Sequence, residues 1–121
     1  MEKYDFDLDN DKDALLNICK NMYLSRCFNN ACNQQYMKVN IRGFMHIDNG
    51  QESIPAFLAH AINVRDNKYS YYREHCHALA CGVDPGAIMA KLCMKETGTC
   101  KGAGGSMHIF DKEKMFRVSR H

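Results

Sequence analysis

Residues 72–85 read YREHCHALACGVDP, and residues 101–108 read KGAGGSMH. The first places a Tyr-Arg pair beside two histidines, and the second adds a glycine-rich loop within a short span of the chain. An arginine side chain offers paired N–H donors to an anion, and glycine lets backbone amides come close to phosphate oxygens. The combination predicts a site for an anionic, phosphorylated cofactor.

The composition is that of a small globular protein. With 121 residues, of which 45% are hydrophobic and 25% charged, the chain has room for one domain with a modest core. No apolar run approaches the ~18 residues that a membrane helix needs. Residues 1–13 hold six acidic residues and two lysines, unlike a signal peptide or an arginine-rich transit peptide. The remainder is basic, which suits an anionic ligand but is better explained by a solvated surface.

The cysteines indicate reduced core thiols of an intracellular protein. Their number is odd, most lie in helical apolar patterns, and none forms a CxxC pair, which argues against a disulfide framework or a zinc ribbon. The seven cysteines are Cys19, Cys27, Cys32, Cys76, Cys81, Cys93 and Cys100.

Apolar periodicity predicts that the first half is helical. A first helix begins after Asn10 or Asp11 as its N-cap and runs through Tyr36. A turn is expected at Val39–Gly43. A second helix then carries five apolar residues on one face, with a proline in its first turn. These five are Ile54, Phe57, Leu58, Ala61 and Ile62.

The second half is expected to be mixed. A short aromatic strand is predicted at Tyr69–Tyr72, and a helix at Glu74–Cys81. Another helix is predicted at Pro85–Thr97, with Asp84 as N-cap and Gly98 as the stop. The glycine-rich segment that follows has no periodicity, so it is predicted to be a loop.

Other site types fit less well. The aspartates of the first 13 residues alternate as in a calcium loop, but Asn10 stands where glycine is required and Leu16 where glutamate is required. A helix-capping acidic leader is the better interpretation.

His75 and His77 could bind a metal with a nearby cysteine, yet an i, i+2 pair points to different faces of a helix. A metal module is therefore the weaker alternative, and we predict no metal ligand in this chain. The glycine loop matches neither the Walker pattern nor the dinucleotide fingerprint.

Three segments in order carry a family resemblance: RGFMHIDNGQES (42–53), YSYYREHCHALACGVDP (69–85) and ETGTCKGAGGSMHIFDKEKMF (96–116). They resemble the α subunits of the thiamine-diphosphate-dependent 2-oxo acid dehydrogenases. The nearest resemblance is to the dehydrogenase (first) component of the pyruvate dehydrogenase complex, and it runs from about Asp13 to Phe116. The GGSMH element is more similar to pyruvate and acetoin enzymes than to branched-chain enzymes.

The resemblance implies an α/β fold, namely the N-terminal part of a thiamine-diphosphate-binding fold. This part is expected to be mostly helical, with one or two short strands of an incomplete parallel sheet. Residues 1–12 would form an acidic leader, 13–116 the dehydrogenase domain segment, and 117–121 a divergent end. Family members continue with a Gly-Asp-Gly…Asn motif that binds magnesium. We therefore expect an N-terminal fragment, inactive alone, with magnesium ligands downstream.

The resemblance also implies roles for individual residues. His46 would be catalytic, donating a hydrogen bond to the oxygen of the reacting 2-oxo acid. Tyr72 and Arg73 would bind the cofactor's diphosphate, and both would contact substrate together with His46. A further set is expected to line the site: His75, Gly104, Gly105, Ser106 and His108.

The implied activity is that of an oxidoreductase. Pyruvate would be oxidatively decarboxylated on thiamine diphosphate, and the acyl unit would pass to lipoyl on the acyltransferase component. An acetoin or other 2-oxo acid dehydrogenase α subunit, or a truncated non-catalytic remnant, are the alternatives. The expected partners are the β subunit, in a heterotetramer, and the lipoyl-bearing acyltransferase, without nucleic acid or membrane. The compartment would be bacterial cytoplasm, mitochondrial matrix or plastid.

Overall fold

The computed structural model describes residues 10–63 and 65–118. Its helices are α1 (Lys12–Met37), α2 (Ser53–Ala61), α3 (His75–Ala80) and α4 (Pro85–Leu92), and its strands are β1 (Lys68–Ser70) and β2 (Phe116–Val118). Two short 3-10 turns, Thr99–Gly102 and Gly105–Met107, lie in the glycine-rich segment. The prediction of a mostly helical chain is confirmed. None of the helices in the described part combines the length and apolarity needed to cross a membrane.

Local signals place most helix starts and ends. Helix α1 begins after Asp11, as predicted. Helix α4 begins with Pro85 in its first turn, and the Asp84 side chain accepts a hydrogen bond from the Ala87 N–H at 2.7 Å. Helix α3 ends just before Gly82, which takes the left-handed conformation (φ +84°) that glycine adopts without a steric penalty.

The end of α4 differs from the prediction. The helix stops at Leu92 and does not continue to Thr97. Met94 adopts φ +57°, and the N–H groups of Met94 and Lys95 donate to carbonyls of the last turn, each at 2.8 Å. These bonds form a Schellman motif, which closes the helix. The motif escaped prediction because a methionine occupies the position where glycine is usual.

Gly98 was predicted to end helix α4, but its role in the structure is different. A Cβ built on this glycine would lie 2.2 Å from the backbone nitrogen of Lys91. No side chain fits at that distance, so Gly98 allows the chain to cross directly against α4. The glycine-rich segment is thereby brought back over this helix.

The two strands pair in parallel, with Lys68 opposite Phe116 and Ser70 opposite Val118. Strand β1 ends before Tyr71, so the strand predicted at Tyr69–Tyr72 is shifted toward the N-terminus. Tyr71 and Tyr72 pack edge to face on each other, with ring centroids 5.5 Å apart. Strand β2 begins at the last residue of the predicted 13–116 segment and runs on through residue 118.

The core lies where α1, α3 and α4 meet. Its buried members are Phe28, Cys32, Ile41, Ala78, Leu79, Val83, Ile88, Leu92, Ile109 and Phe116. All seven cysteines are free thiols, and Cys32 and Cys76 are fully buried, which raises the pKa of each to about 12. The expectation of core thiols fails for Cys19, Cys27 and Cys100, which are exposed.

Helix α2 forms where its periodicity predicts, but its apolar face is not buried. Ile54 is 62% exposed and Leu58 is 47% exposed. Pro55 and Ala56 are the residues that α2 buries, on the side that faces α1 and α3. Periodicity therefore identified the helix correctly, whereas the side on which α2 packs depends on its neighbours.

Candidate functional site

The side chains of His46, Tyr72 and Arg73 meet in one place. His46 lies in the loop between α1 and α2, and the other two lie in the turn between β1 and α3. The imidazole and phenol rings pack edge to face, with centroids 4.8 Å apart and an interplanar angle of 67°. The Arg73 Cζ atom is 5.5 Å from the centre of the Tyr72 ring, a cation–π distance. The fold thus joins an imidazole, a phenol and a guanidinium from two separate loops.

The loop that carries His46 is anchored to α1 by an ion pair. Glu52 is 5% exposed and accepts hydrogen bonds from the Nε and Nη2 atoms of Arg26, the latter at 3.2 Å. Its carboxylate also accepts the backbone N–H of Gly50 at 3.0 Å. The hydrogen bond from Arg26 is the main reason that the pKa of Glu52 is lowered to about 2. The loop therefore has one end fixed to α1, at the residue just before α2.

Arg73 has a hydrogen-bond donor that no described residue uses. Its Nε atom is buried and has no hydrogen-bond partner within residues 10–63 and 65–118. The neighbouring Tyr72 ring is 43% exposed. A guanidinium carries five N–H donors in a planar arrangement that matches the oxygens of a phosphate. Arg73 and Tyr72 can therefore donate hydrogen bonds to an anionic ligand that reaches them from solvent.

His75 lies behind this group and is fully buried. The Ser106 backbone approaches its imidazole, but neither ring nitrogen completes a hydrogen bond within the described residues. Burial lowers the pKa of His75 to about 4, so the ring is neutral at pH 7. No group of three or more metal-binding side chains exists in the part of the chain that the structure describes. The metal module based on His75 and His77 thus gains no support.

The glycine-rich loop is docked on the His46 loop by one hydrogen bond. The Ser106 hydroxyl donates to the Phe44 carbonyl at 2.6 Å, and Ser106 is buried. Gly104 adopts φ +89°, and a Cβ at this position would lie 3.0 Å from the Cβ of His108. Among the described residues, Gly105 and His108 make no hydrogen bond or ring contact with His46, Tyr72 or Arg73. Of the predicted lining residues, Ser106 is the one that joins the loop to the site.

Besides Glu52, three buried charged residues near the site were not predicted. Glu74 and Lys91 are fully buried, and Asp48 is 1% exposed. Burial raises the pKa of Glu74 to about 8, raises that of Asp48, and lowers that of Lys91. Nothing in the sequence separates Lys91 from the exposed Lys95 one helical turn later. Such residues become visible only when the packing around them is known.

Comparison with known proteins identifies the family of the chain. The family of dehydrogenase E1 components matches residues 20–120, and the chain belongs to this family. It is 41% identical over 102 residues to the chloroplastic pyruvate dehydrogenase E1 component subunit alpha-3 of Arabidopsis thaliana, covering 84% of this chain and 24% of that protein. It is 44% identical over 101 residues to the mitochondrial pyruvate dehydrogenase E1 component subunit alpha of Dictyostelium discoideum, covering 84% and 27%.

A third relative acts on a different substrate. The chain is 38% identical over 104 residues to the alpha subunit of acetoin:2,6-dichlorophenolindophenol oxidoreductase of Cupriavidus necator, covering 86% of this chain and 31% of that protein. Across these relatives the chain spans between 24% and 31% of their length. The resemblance to the pyruvate dehydrogenase α subunits is confirmed.

Proposed function

We propose that this chain forms part of the α subunit of a thiamine-diphosphate-dependent pyruvate dehydrogenase. In this proposal the chain has the thiamine-diphosphate-binding fold of an α/β enzyme. The observation that carries the proposal is the meeting of His46, Tyr72 and Arg73, with a 4.8 Å ring contact and a 5.5 Å cation–π contact. The family membership supports the same reaction class.

The residues present fit the cofactor's diphosphate. A diphosphate needs hydrogen-bond donors, preferably cationic ones, and the Arg73 Nε atom is a buried donor without a protein partner among the described residues. Arg73 and the Tyr72 hydroxyl would hold the diphosphate oxygens. When bound, thiamine diphosphate supplies a carbon nucleophile for the keto carbon and accepts the electrons that decarboxylation leaves. Within the described residues we assign no magnesium ligand, because no candidate cluster is present there.

His46 would act on the substrate oxygen. Its imidazole is half-buried and is held by the edge of the Tyr72 ring, so its orientation is restricted. A ring N–H aimed at the keto oxygen would donate a hydrogen bond that strengthens as negative charge develops there. The docked glycine-rich loop, with Gly104, Gly105, Ser106 and His108, would limit the access of water to this region.

Substrate and partners belong to the same proposal. Pyruvate is favoured because several relatives are named for it, and the Cupriavidus necator relative keeps acetoin as the second candidate. The acyl unit would pass to lipoyl on the acyltransferase component, and the α chain would pair with a β subunit in a heterotetramer. Two relatives are named as chloroplastic and mitochondrial, so an organelle or the bacterial cytoplasm is the proposed location.

Two substitutions in an α subunit that carries this sequence, assembled with its β subunit, test the proposal. Arg73→Ala removes a charged donor, worth roughly 1.5–3 kcal/mol, and should weaken thiamine diphosphate affinity about 10- to 100-fold. Saturating cofactor should then restore much of the rate. His46→Ala should leave cofactor affinity nearly unchanged and lower kcat. Arg65→Ala, at an exposed loop residue, is the matched control.

Cofactor affinity, kcat and melting temperature are measured for all variants. If Arg73→Ala binds the cofactor as tightly as the parent, the diphosphate assignment is wrong. If His46→Ala and Arg73→Ala both lower the melting temperature without a selective kinetic change, the two residues support the fold and do not form the site.

A further inference from the structure

The glycine-rich loop does not hold its shape by local preference. Cys100 and Lys101 adopt φ values of +54° and +52°, in the left-handed region that costs a residue with a Cβ about 1–2 kcal/mol. Gly102, Gly104 and Gly105 are also left-handed, and a free glycine-rich segment gives up much conformational entropy when it is fixed. Contacts from outside the loop must therefore stabilise the observed shape.

Lys91 supplies one of these contacts. The residue is fully buried in α4, and its Nζ atom donates a hydrogen bond to the carbonyl of Ala103. A Cβ on Gly104 would lie 3.5 Å from the same Nζ atom, so the ammonium lies close to the Gly104 backbone. Because a buried ammonium has lost its hydration, the carbonyl that receives its hydrogen bond is held firmly.

Glu74 supplies a second contact farther along the loop. It is fully buried just before α3, and its Oε1 atom accepts the backbone N–H of Ile109 at 2.9 Å. Glu74 directly follows Arg73 in the chain. The electrostatic interaction of Glu74 with Lys91 opposes the effect of burial on the pKa of each group.

Together the two residues hold both ends of the segment 103–109, while Ser106 ties its middle to the Phe44 carbonyl. We propose that Lys91 and Glu74 are positioning residues that fix the glycine-rich loop against the loop that carries Phe44 and His46, acting through Ala103 and Ile109. The relevance of the loop to catalysis rests on the proposed function. The anchoring itself does not.

Hydrogen–deuterium exchange of the 121-residue chain, without cofactor, tests the anchoring residue by residue. Lys91→Met keeps the length of the buried side chain and removes the donor. It should speed exchange of the Ala103 amide, which is bonded to the Cys100 carbonyl at 3.0 Å, by at least about tenfold. Amides in the middle of α1 should be unchanged. Lys95→Met, at the exposed lysine one turn later, is the matched control and should have no effect.

Two substitutions at Glu74 distinguish a role as hydrogen-bond acceptor from a role that only fills space. Glu74→Gln keeps an oxygen that can accept the Ile109 N–H, so the exchange of this amide should stay within about twofold of the parent. Glu74→Met keeps most of the side-chain volume but removes the acceptor, and it should speed this exchange at least about tenfold. A role that only fills space predicts instead that the glutamine and methionine variants behave alike.

The anchoring is refuted by any of three results. Loop amides that remain as slow as in the parent after Lys91→Met would show that the loop needs no such contact. Equal acceleration in α1 and in the loop would assign Lys91 to the stability of the whole fold. Equal exchange rates of the Ile109 amide in Glu74→Gln and Glu74→Met would remove the acceptor role. None of these depends on cofactor binding, so failure of the diphosphate assignment at Arg73 would be seen separately.

Discussion

Replacing Glu52 by glutamine is expected to weaken the anchor of the His46 loop. Glutamine has almost the same shape, but it loses the negative charge and presents an N–H₂ group to one of the donors that now face the carboxylate. Those donors are Arg26, through two nitrogen atoms, and the Gly50 N–H. The substitution therefore changes the charge and hydrogen bonding of the loop without opening a cavity.

The size of the expected stability loss follows from how exposed the Glu52 and Arg26 side chains are. Hydrogen bonds to a charged group contribute roughly 1.5–3 kcal/mol when they are sheltered from water. The Glu52 side chain is 6% exposed, but that of Arg26 is 51% exposed, so solvent screens part of the attraction. We expect Glu52→Gln to lower the free energy of unfolding by about 1–2 kcal/mol at pH 7.

The loss should depend on pH in a defined direction. The pKa of Glu52 is lowered from 4.5 to about 2, so its carboxylate stabilises the folded chain fully above about pH 4.5. This contribution disappears as the pH falls from 4.5 toward 2. The difference between parent and variant should thus be constant from pH 8 to about pH 5 and should shrink at lower pH.

Urea denaturation followed by far-UV circular dichroism at pH 7, 5 and 3 measures this difference. Glu96→Gln makes the same chemical change at an exposed glutamate and should alter stability by less than about 0.5 kcal/mol. A loss at Glu52 no larger than that of the Glu96 control, or a loss that is the same at pH 3 as at pH 7, would contradict the reasoning.

Two backbone positions give further predictions. Gly98→Ala should destabilise the chain by about 1–3 kcal/mol, because the added methyl group would lie 2.2 Å from the Lys91 nitrogen. Urea denaturation measures this loss, with Gly43→Ala as the control. A Cβ on Gly43 meets nothing within 4 Å, so only its φ of +87° is unfavourable there. A smaller loss of stability at Gly98 than at Gly43 would contradict the close approach. Val39→Gly should raise stability by about 0.5–1 kcal/mol, because Val39 is 69% exposed and holds φ +62° where α1 ends. Thermal unfolding measures this gain, with Asn40→Gly as the control. A lowered melting temperature for Val39→Gly would show that the valine side chain matters more than its backbone strain.

Features that depend on near neighbours in the chain were predicted well. The start of α4 follows from a capping aspartate and a proline position, and the start of α1 follows from helical periodicity. The end of α4 was wrong because Met94 takes the left-handed position that the sequence pattern assigns to a glycine, and the nearest glycine, Gly98, serves a close contact instead. Propensity describes what a residue prefers, and tertiary contacts can impose the less favoured conformation.

For the candidate site, too, the sequence predicted the local motifs and the fold brought them together. The motifs around His46, Tyr72 and Arg73 are contiguous in sequence, so their resemblance to one family is recognisable from the order of the residues alone. That the three side chains meet, with rings 4.8 Å apart, is a result of the fold. Their proposed roles in cofactor and substrate binding stay predictions that the substitutions above will test.

By itself, the sequence determined the family of this protein and its helical character, because both are carried by residues close together in the chain. The tertiary structure alone decided which face of α2 is covered, where Gly98 crosses α4, and which charged residues are buried. Lys91 and Lys95 show the reason: they share a chemistry and a neighbourhood in the chain, but one lies under the glycine-rich loop and the other faces water. Burial and the pKa shifts that follow from it are properties of the assembled packing, and no local pattern encodes them.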